Sequence, residues 1–438
     1  MISKINQPNI SCPAIFISAP ASGQGKTTVT AALARLHRKQ GHRVIVFKTG
    51  PDFLDPTILE RASGNPVYQL DIWMGGETHC RELLYNAALK ADLILIEGVM
   101  GLFDGNPSSA DLAILFNIPV LAVINASSMA QTFGALAFGL ASYKKELLFA
   151  GVFANRVASE NHAALVAESL PAGMRYYGAL PRDENIEFPS RHLGLVSADE
   201  INDLEKRINL AAEKLQETGL DLLPDKVIFG NVKSDSNTKN KLLTGYKISV
   251  ALDQAFSFIY RANIECLENL GAKINYFSPI NDTNLPDSDS LYFPGGYPEL
   301  HLNSLSKNTS MINSIKEHHA NSKPIVAECG GMLYLLQSLT DKSGVKANMA
   351  GLLSGSAVMQ NKLSNLGMHS MDLPEGEIRG HTFHHSKMET DMLPITITNS
   401  TRKKGRGEAV YRNQRLHATY LHMYFPSNPI ACARLFTP

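Results

Sequence analysis

Two α/β domains in tandem are the architecture this sequence predicts, and three observations carry it. Short apolar runs alternate with helical patterns, the signature of parallel sheets covered by helices. The alternation breaks in a polar stretch, Asn-Val-Lys-Ser-Asp-Ser-Asn-Thr-Lys-Asn-Lys, and then starts again. The chain has 438 residues, more than a single core usually serves. The strand-like runs before the break are Ala14–Ser18, Val44–Phe47, Leu93–Ile96 and Val120–Ile124. After it come Ile248–Leu252, Ala272–Phe277, Ser290–Phe293 and Ile325–Ala327. Their continuous apolarity fits strands buried on both faces. The expected domains are residues 1–240 and 246–438, joined by a linker at about 228–245.

Composition excludes several function classes. Lys+Arg and Asp+Glu both number 41, so no net field draws the chain to nucleic acid or to a membrane surface. No apolar run approaches the roughly 20 residues that span a bilayer. Cys12, Cys80, Cys266, Cys329 and Cys432 are far apart and make no CxxC pair. That usage points to a reducing compartment, the cytoplasm, and to no cysteine zinc site.

The first run empties into Ser22-Gly23-Gln24-Gly25-Lys26-Thr27-Thr28 and then a helical pattern from Val29 to Lys39. Strand, glycine loop, Gly-Lys-Thr and helix make a P-loop context. Glycines let backbone N–H groups approach phosphate, Lys26 supplies a charge and Thr27 a hydroxyl for Mg²⁺. Pro20 stands where the first glycine of the general pattern would fall, so the loop is a variant. Two further strand ends carry acids: Lys48-Thr49-Gly50-Pro51-Asp52, with Asp55 beyond, and Glu97-Gly98-Val99-Met100-Gly101, with Asp104 beyond. Ligands of open α/β sheets bind at this edge, and carboxylates there can hold Mg²⁺. Asp and Gly are also common turn residues, so three complementary strand ends weigh more than any one. Arg191, in Pro189-Ser190-Arg191-His192, is suited to a planar oxyanion, and a plain surface loop is an equal reading.

In the second half, Ile325-Val326-Ala327-Glu328 runs into Cys329-Gly330-Gly331 and an apolar helix. This is the layout of a nucleophile elbow. The helix N-terminus that follows is expected to favour thiolate over thiol. Gly295-Gly296, after the run Ser290–Phe293, offers backbone N–H groups for an oxyanion hole. A thiol attacking an amide needs a base. His422 is the chosen partner, with His381, His384 and His385 as alternatives.

Taken together, these motifs resemble the cobyrinate a,c-diamide synthase family of cobalamin biosynthesis. The match runs from the P-loop through Lys-Thr-Gly-Pro-Asp, Glu-Gly-Val-Met-Gly-Leu-Phe-Asp-Gly, Pro-Ser-Arg-His-Leu-Gly-Leu, Pro-Gly-Gly-Tyr-Pro-Glu-Leu and Glu-Cys-Gly-Gly-Met-Leu to Ala-Thr-Tyr-Leu-His. The resemblance implies a doubly wound P-loop domain resembling dethiobiotin synthetase, followed by a class I glutamine amidotransferase domain. It implies ATP- and L-glutamine-dependent amidation of the a and c acetate side chains of a cobyrinate-type corrinoid through an acyl phosphate. By resemblance, Gly23, Gln24, Gly25, Lys26, Thr27 and Thr28 bind ATP, and Thr27, Asp52 and Glu97 bind Mg²⁺. Lys48 and Asp104 join the catalytic residues Cys329 and His422, and Asp55 and Arg191 handle the substrate. The family usually ends in His-Leu-His-Phe, whereas Tyr424 replaces the second histidine here, leaving the group that orients His422 open. The same chemistry on hydrogenobyrinate or nickel sirohydrochlorin stays open, as does a homodimer. Cobyric acid synthase is a paralogous rival, against which the Lys48–Asp52 and Gly296–Glu299 segments argue. A P-loop ATPase switch with an inactive amidotransferase-like module is the distant alternative, and intact Cys329 and His422 count against it.

Overall fold

The computed structural model describes residues 8–191, 194–195, 198–231 and 241–437, with side chains omitted at 190, 191, 194 and 195. Two compact units make up the chain, one of residues 1–72 and 77–234, the other of 73–76 and 235–438. The expected boundary at residue 240 lies outside the described residues.

The first unit is built on an eight-stranded sheet. Its main path runs Tyr68–Leu70, Val44–Thr49, Leu93–Glu97, Ile10–Ser18, Val120–Asn125, Phe149–Val157 and Tyr176–Pro181, all parallel. Lys226–Phe229 adds antiparallel to the first strand. Side chains alternate between the two faces with period two, and both faces are dry. Phe16, Ile94 and Ile96 enter one core, and Ile15, Ile17, Leu93 and Leu95 enter the other. Helices Lys26–Lys39 and Leu204–Leu215 contribute to the second core, and Ser109–Phe116 and Thr132–Ser142 to the first.

The second unit repeats the device. Its seven-stranded sheet runs Lys273–Phe277, Lys247–Ala251, Ser290–Phe293, Ile325–Glu328, Leu416–Thr419, Ala409–Asn413 and Thr396–Ile397. The first five are parallel and the last two antiparallel. Leu291, Phe293, Ile325 and Ala327 face one core, whereas Tyr292 and Val326 face the other.

Two four-stranded sheets, which the apolar-run pattern does not predict, complete this unit. One contains the hairpin Asn365–Leu373 with Gly376–His384, whose His381 lies opposite His422. These strands mix polar and apolar residues because only part of each is buried.

Asn263 anchors the segment that carries His422. Its fully buried amide donates to the Met423 carbonyl (2.8 Å) and accepts the Phe425 N–H (2.8 Å). Asn263→Leu should strip both backbone groups of their partner and destabilise this unit by roughly 3 kcal/mol. Hydrogen exchange at the Ile325–Glu328 amides, which report on this unit, checks it. Unchanged protection would show that the two bonds carry no net stability.

Candidate active sites

In the first unit the strand ends deliver one charge cluster. Strands Val44–Thr49 and Leu93–Glu97 are adjacent, with Lys48 in register with Glu97. Both side chains are essentially excluded from solvent, Lys48 at 2% and Glu97 at 0% exposure. The Lys48 ammonium donates to Asp55 and to Glu97 (2.5 Å) and lies 3.6 Å from Asp52. Burial pushes this ammonium toward neutrality, but Asp55, Glu97 and Asp52 outweigh it and hold it charged. Burial also raises Asp55, and Lys48 overcomes that, so Asp55 stays ionised. Burial raises Glu97, which Lys48 only partly offsets, and burial with neighbouring Asp55 raises Asp52. The cluster thus sits at the edge of carrying excess negative charge.

The glycine loop is adjacent. Lys26 donates to the Met100 carbonyl (2.7 Å) and to that of Ala21 (3.3 Å), and burial draws its pKa down. The Thr27 hydroxyl donates to Glu97 (3.1 Å). Gly25 is required twice over. Its φ is +89°, and a Cβ there would stand 2.1 Å from the Asn155 amide nitrogen. Asn155 in turn donates to the Gln24 carbonyl (2.8 Å), and Gln24 accepts the Asn125 N–H (2.9 Å). Arg156 reaches the Gly23 carbonyl (3.2 Å). Asn125, Asn155 and Arg156 carried no sequence signal, because their link to the loop exists only through strand order.

Asp55 Oδ1 and Glu97 Oε2 are buried and accept no hydrogen bond among the described residues. With the Thr27 hydroxyl they are oxygen donors of the kind a hard cation takes. Asp52 instead accepts the Leu54 and Asp55 N–H groups (2.9 and 3.2 Å) at the start of the helix Leu54–Ser63. Asp104 is exposed and accepts the Gly101 N–H (2.9 Å), a turn contact, while adding to the charges acting on Lys26. Arg191 lies in the short strand Ser190–Arg191, and its side chain is outside the described set.

The second unit holds the cysteine on a strained turn. Cys329 has φ +42° and ψ −109°, between the strand Ile325–Glu328 and the helix Gly330–Leu335. Such a conformation is uncommon for a residue with a Cβ and persists only when its surroundings impose it. The Cys329 N–H is tied to the Thr419 carbonyl (2.8 Å).

Thiolate stabilisation at the helix N-terminus does not hold. Burial pushes the Cys329 thiol well up, the nearby carboxylates add to this, and the Gly330 N–H opposes it too weakly. The helix has only six residues, and a short dipole cannot repay full desolvation. The resting group is therefore the thiol.

His422 is 1% exposed and lies against Gly295, where a Cβ would stand 2.2 Å from its Cε1. Gly296 lies against Gly330, so the two-glycine turn fits between the histidine and the elbow. The other histidines are placed elsewhere. His381 stacks on His422 with centroids 5.1 Å apart and bonds to the Tyr260 hydroxyl (2.9 Å). His384 bonds to Glu408 (3.0 Å) and stacks on Tyr420. His385 meets the edge of Phe383.

Tyr424 packs edge-on to Tyr260. The carboxylate near His422 is that of Glu328, 3.9 Å from Nδ1, which also accepts the Met423 N–H (3.1 Å). Burial lowers His422 to about 3 and raises Glu328 well above the usual carboxylate range, so it favours the neutral form of each. Glu328 was legible as an acid ending an apolar strand. Glu408 was not, because it comes from a distant strand.

Comparison with known proteins places this arrangement. Residues 15–196 match the CobQ/CobB/MinD/ParA nucleotide binding domain, and residues 247–430 the CobB/CobQ-like glutamine amidotransferase domain. The chain is 58% identical over 427 residues to the hydrogenobyrinate a,c-diamide synthase of Stutzerimonas stutzeri, covering 98% of this chain and 99% of that protein. It is 55% identical to the protein of that name from Pseudomonas aeruginosa, over 98% of both. It is 47% identical to the cobyrinate a,c-diamide synthase of Herminiimonas arsenicoxydans, over 99% of both. A nucleotide-binding α/β unit, a second α/β unit with a strained cysteine elbow, and end-to-end relatedness at this level make the chain a member of the a,c-diamide synthase family.

Proposed function

We propose that this protein amidates the a and c acetate carboxylates of a cobyrinate-type corrinoid, using ATP and L-glutamine. The observation that carries the reading is the pairing, in one chain, of a buried Lys48–carboxylate cluster beside a P-loop with a cysteine elbow whose Gly330 packs on Gly296, while the adjacent Gly295 packs on His422. The two relatives of higher identity bear the hydrogenobyrinate name, which favours the metal-free corrinoid over the cobalt form. The cytoplasm, where five free cysteines stay reduced, is its compartment in this reading.

A carboxylate is a poor electrophile, and phosphorylation turns its oxygen into a leaving group. Lys26 and the loop N–H groups hold the ATP phosphates, and Lys48 faces the charge that develops on the transferring phosphoryl group. Bound Mg²⁺ would neutralise phosphate charge, with Thr27 and Glu97 as donors and Asp52 beside them, completed by phosphate and water oxygens. Asp55 and Asp104, with Arg191, handle the corrinoid carboxylates.

In the second unit, Cys329 Sγ attacks the glutamine side-chain amide while His422 takes the thiol proton. The Gly295–Gly296 turn is aimed at the oxyanion. Burial favours the neutral thiol and imidazole, so charge separates as the proton moves, and Glu328 is the acidic group that faces the ring when it becomes cationic. His422 returns the proton to the departing ammonia, and water releases glutamate. The ammonia displaces phosphate from the activated carboxylate.

Incubation of the protein with ATP, Mg²⁺, glutamine and either hydrogenobyrinate or cobyrinate should give two successive amidations of the preferred corrinoid by mass spectrometry. Absence of any amide with both corrinoids would remove this reading. Cys329→Ala should abolish glutamine-dependent amidation and keep turnover with free ammonia, since the thiol serves only ammonia release. Equal loss with both donors would refute two separate sites. Lys26→Ala should lower amidation with either donor by about 10²–10³-fold, the usual effect of removing one electrostatic donor. A steady-state assay with saturating ammonia measures it, and near-normal turnover would refute the phosphate role.

A further inference from the structure

Three acidic side chains belong to the electrostatic surroundings of the Cys329 sulfur: Glu299, Glu408 and Glu328. Two of them are occupied. Glu408 accepts hydrogen bonds from His384 Nε2 (3.0 Å), the Thr382 hydroxyl (3.0 Å) and the Asn365 amide. Glu328 accepts the Met423 N–H and lies beside His422. Glu299 differs. It is 9% exposed, yet among the described residues no other side chain hydrogen-bonds or ion-pairs with it. Its own N–H is the one group that bonds to it, and Lys342 and Asp341 act on it only at a distance and with opposite sign.

The position of Glu299 is set by the fold. It sits in the turn Pro298–Leu300, immediately after Gly295 and Gly296. Pro298 lies against Gly330, where a Cβ would stand 2.9 Å from the proline ring. The turn is thereby fixed against the first residue of the helix that follows Cys329. A largely buried carboxylate costs free energy unless a cation or donors meet it, and among the described residues no other side chain hydrogen-bonds or ion-pairs with Glu299.

We propose that Glu299 is the anchor for the α-ammonium group of the glutamine substrate. This rests on the glutamine amidotransferase reading of the second unit. Glutamine is a zwitterion whose reacting amide lies at one end and whose ammonium lies at the other. A site that takes its amide at Cys329 needs a negative group within a side chain's length, and Glu299 is the unengaged one. Burial pushes the empty carboxyl up to about 7. An ammonium bound against it would hold it ionised and draw that value down. The contact is charge-assisted and largely desolvated, so it discriminates strongly against amides that lack the ammonium.

The test compares glutamine with 4-carbamoylbutanoate, the same amide without the amino group, by ammonia release from the full-length protein. The unaltered enzyme should prefer glutamine in kcat/KM by roughly 10²-fold, as expected when a desolvated charged contact is missing. Glu299→Gln should narrow that preference to within about fivefold, through loss in the glutamine arm alone. An unchanged preference in Glu299→Gln, or no preference in the unaltered enzyme, overturns the assignment. Should Glu299→Gln fail to fold, Glu299→Asp carries the comparison: a reduced preference supports the anchor and an unchanged one refutes it. Absence of Cys329-dependent glutamine hydrolysis in the unaltered enzyme would instead remove the amidotransferase reading itself.

Discussion

A strand buried on both faces has one place to put a polar group, and that is its end. Both sheets obey this constraint. Ile15, Phe16 and Ile17 alternate between two dry cores, and Leu291, Tyr292 and Phe293 do the same in the second unit. Charged or nucleophilic side chains within those runs would have to be desolvated without partners. Lys48, Glu97 and Cys329 therefore appear where the strands stop, and parallel pairing brings these stops to one edge of each sheet.

The two units solve opposite electrostatic problems. In the first, Lys48 gathers three carboxylates and stays charged because they surround it. One ammonium cannot balance three acids, and among the described residues no donor meets Asp55 Oδ1 or Glu97 Oε2. That imbalance suits a site whose ligands bring cations of their own. In the second, burial raises the Cys329 thiol and Glu328 and lowers His422, favouring the neutral form of each. Neutral groups are cheap to bury. The elbow strain at Cys329 and the close fit of His422 on Gly295 are the means by which neutral groups are nevertheless held in register.

The limits of local reading follow from the same physics. The helix after Cys329 looked able to lower its pKa, but a dipole is a local property and desolvation is set by everything around the sulfur. Tyr424, two positions along the chain from His422, offers no carboxylate, and the local sequence leaves the orienting group open. The carboxyl group near His422 Nδ1, at 3.9 Å, is that of Glu328, brought there because Ile325–Glu328 pairs with Leu416–Thr419. The extra sheets of the second unit were silent in the sequence, since half-buried strands lack the continuous apolar runs that mark central ones.

The sequence by itself determined the two α/β units, the strand ends at which chemistry is carried, the P-loop and the Cys329 elbow. Each of these is written within a dozen contiguous residues, where periodicity and glycine spacing act directly on the backbone. Tertiary structure alone decided the pairings across the chain: Lys48 with Glu97, Gly25 with Asn155, His422 with Gly295 and Glu328, and Glu408 with His384. It also sets the direction of the pKa shifts at Lys48, Cys329 and His422, because burial, the largest influence on each, is a sum over residues that meet only once the sheets have formed.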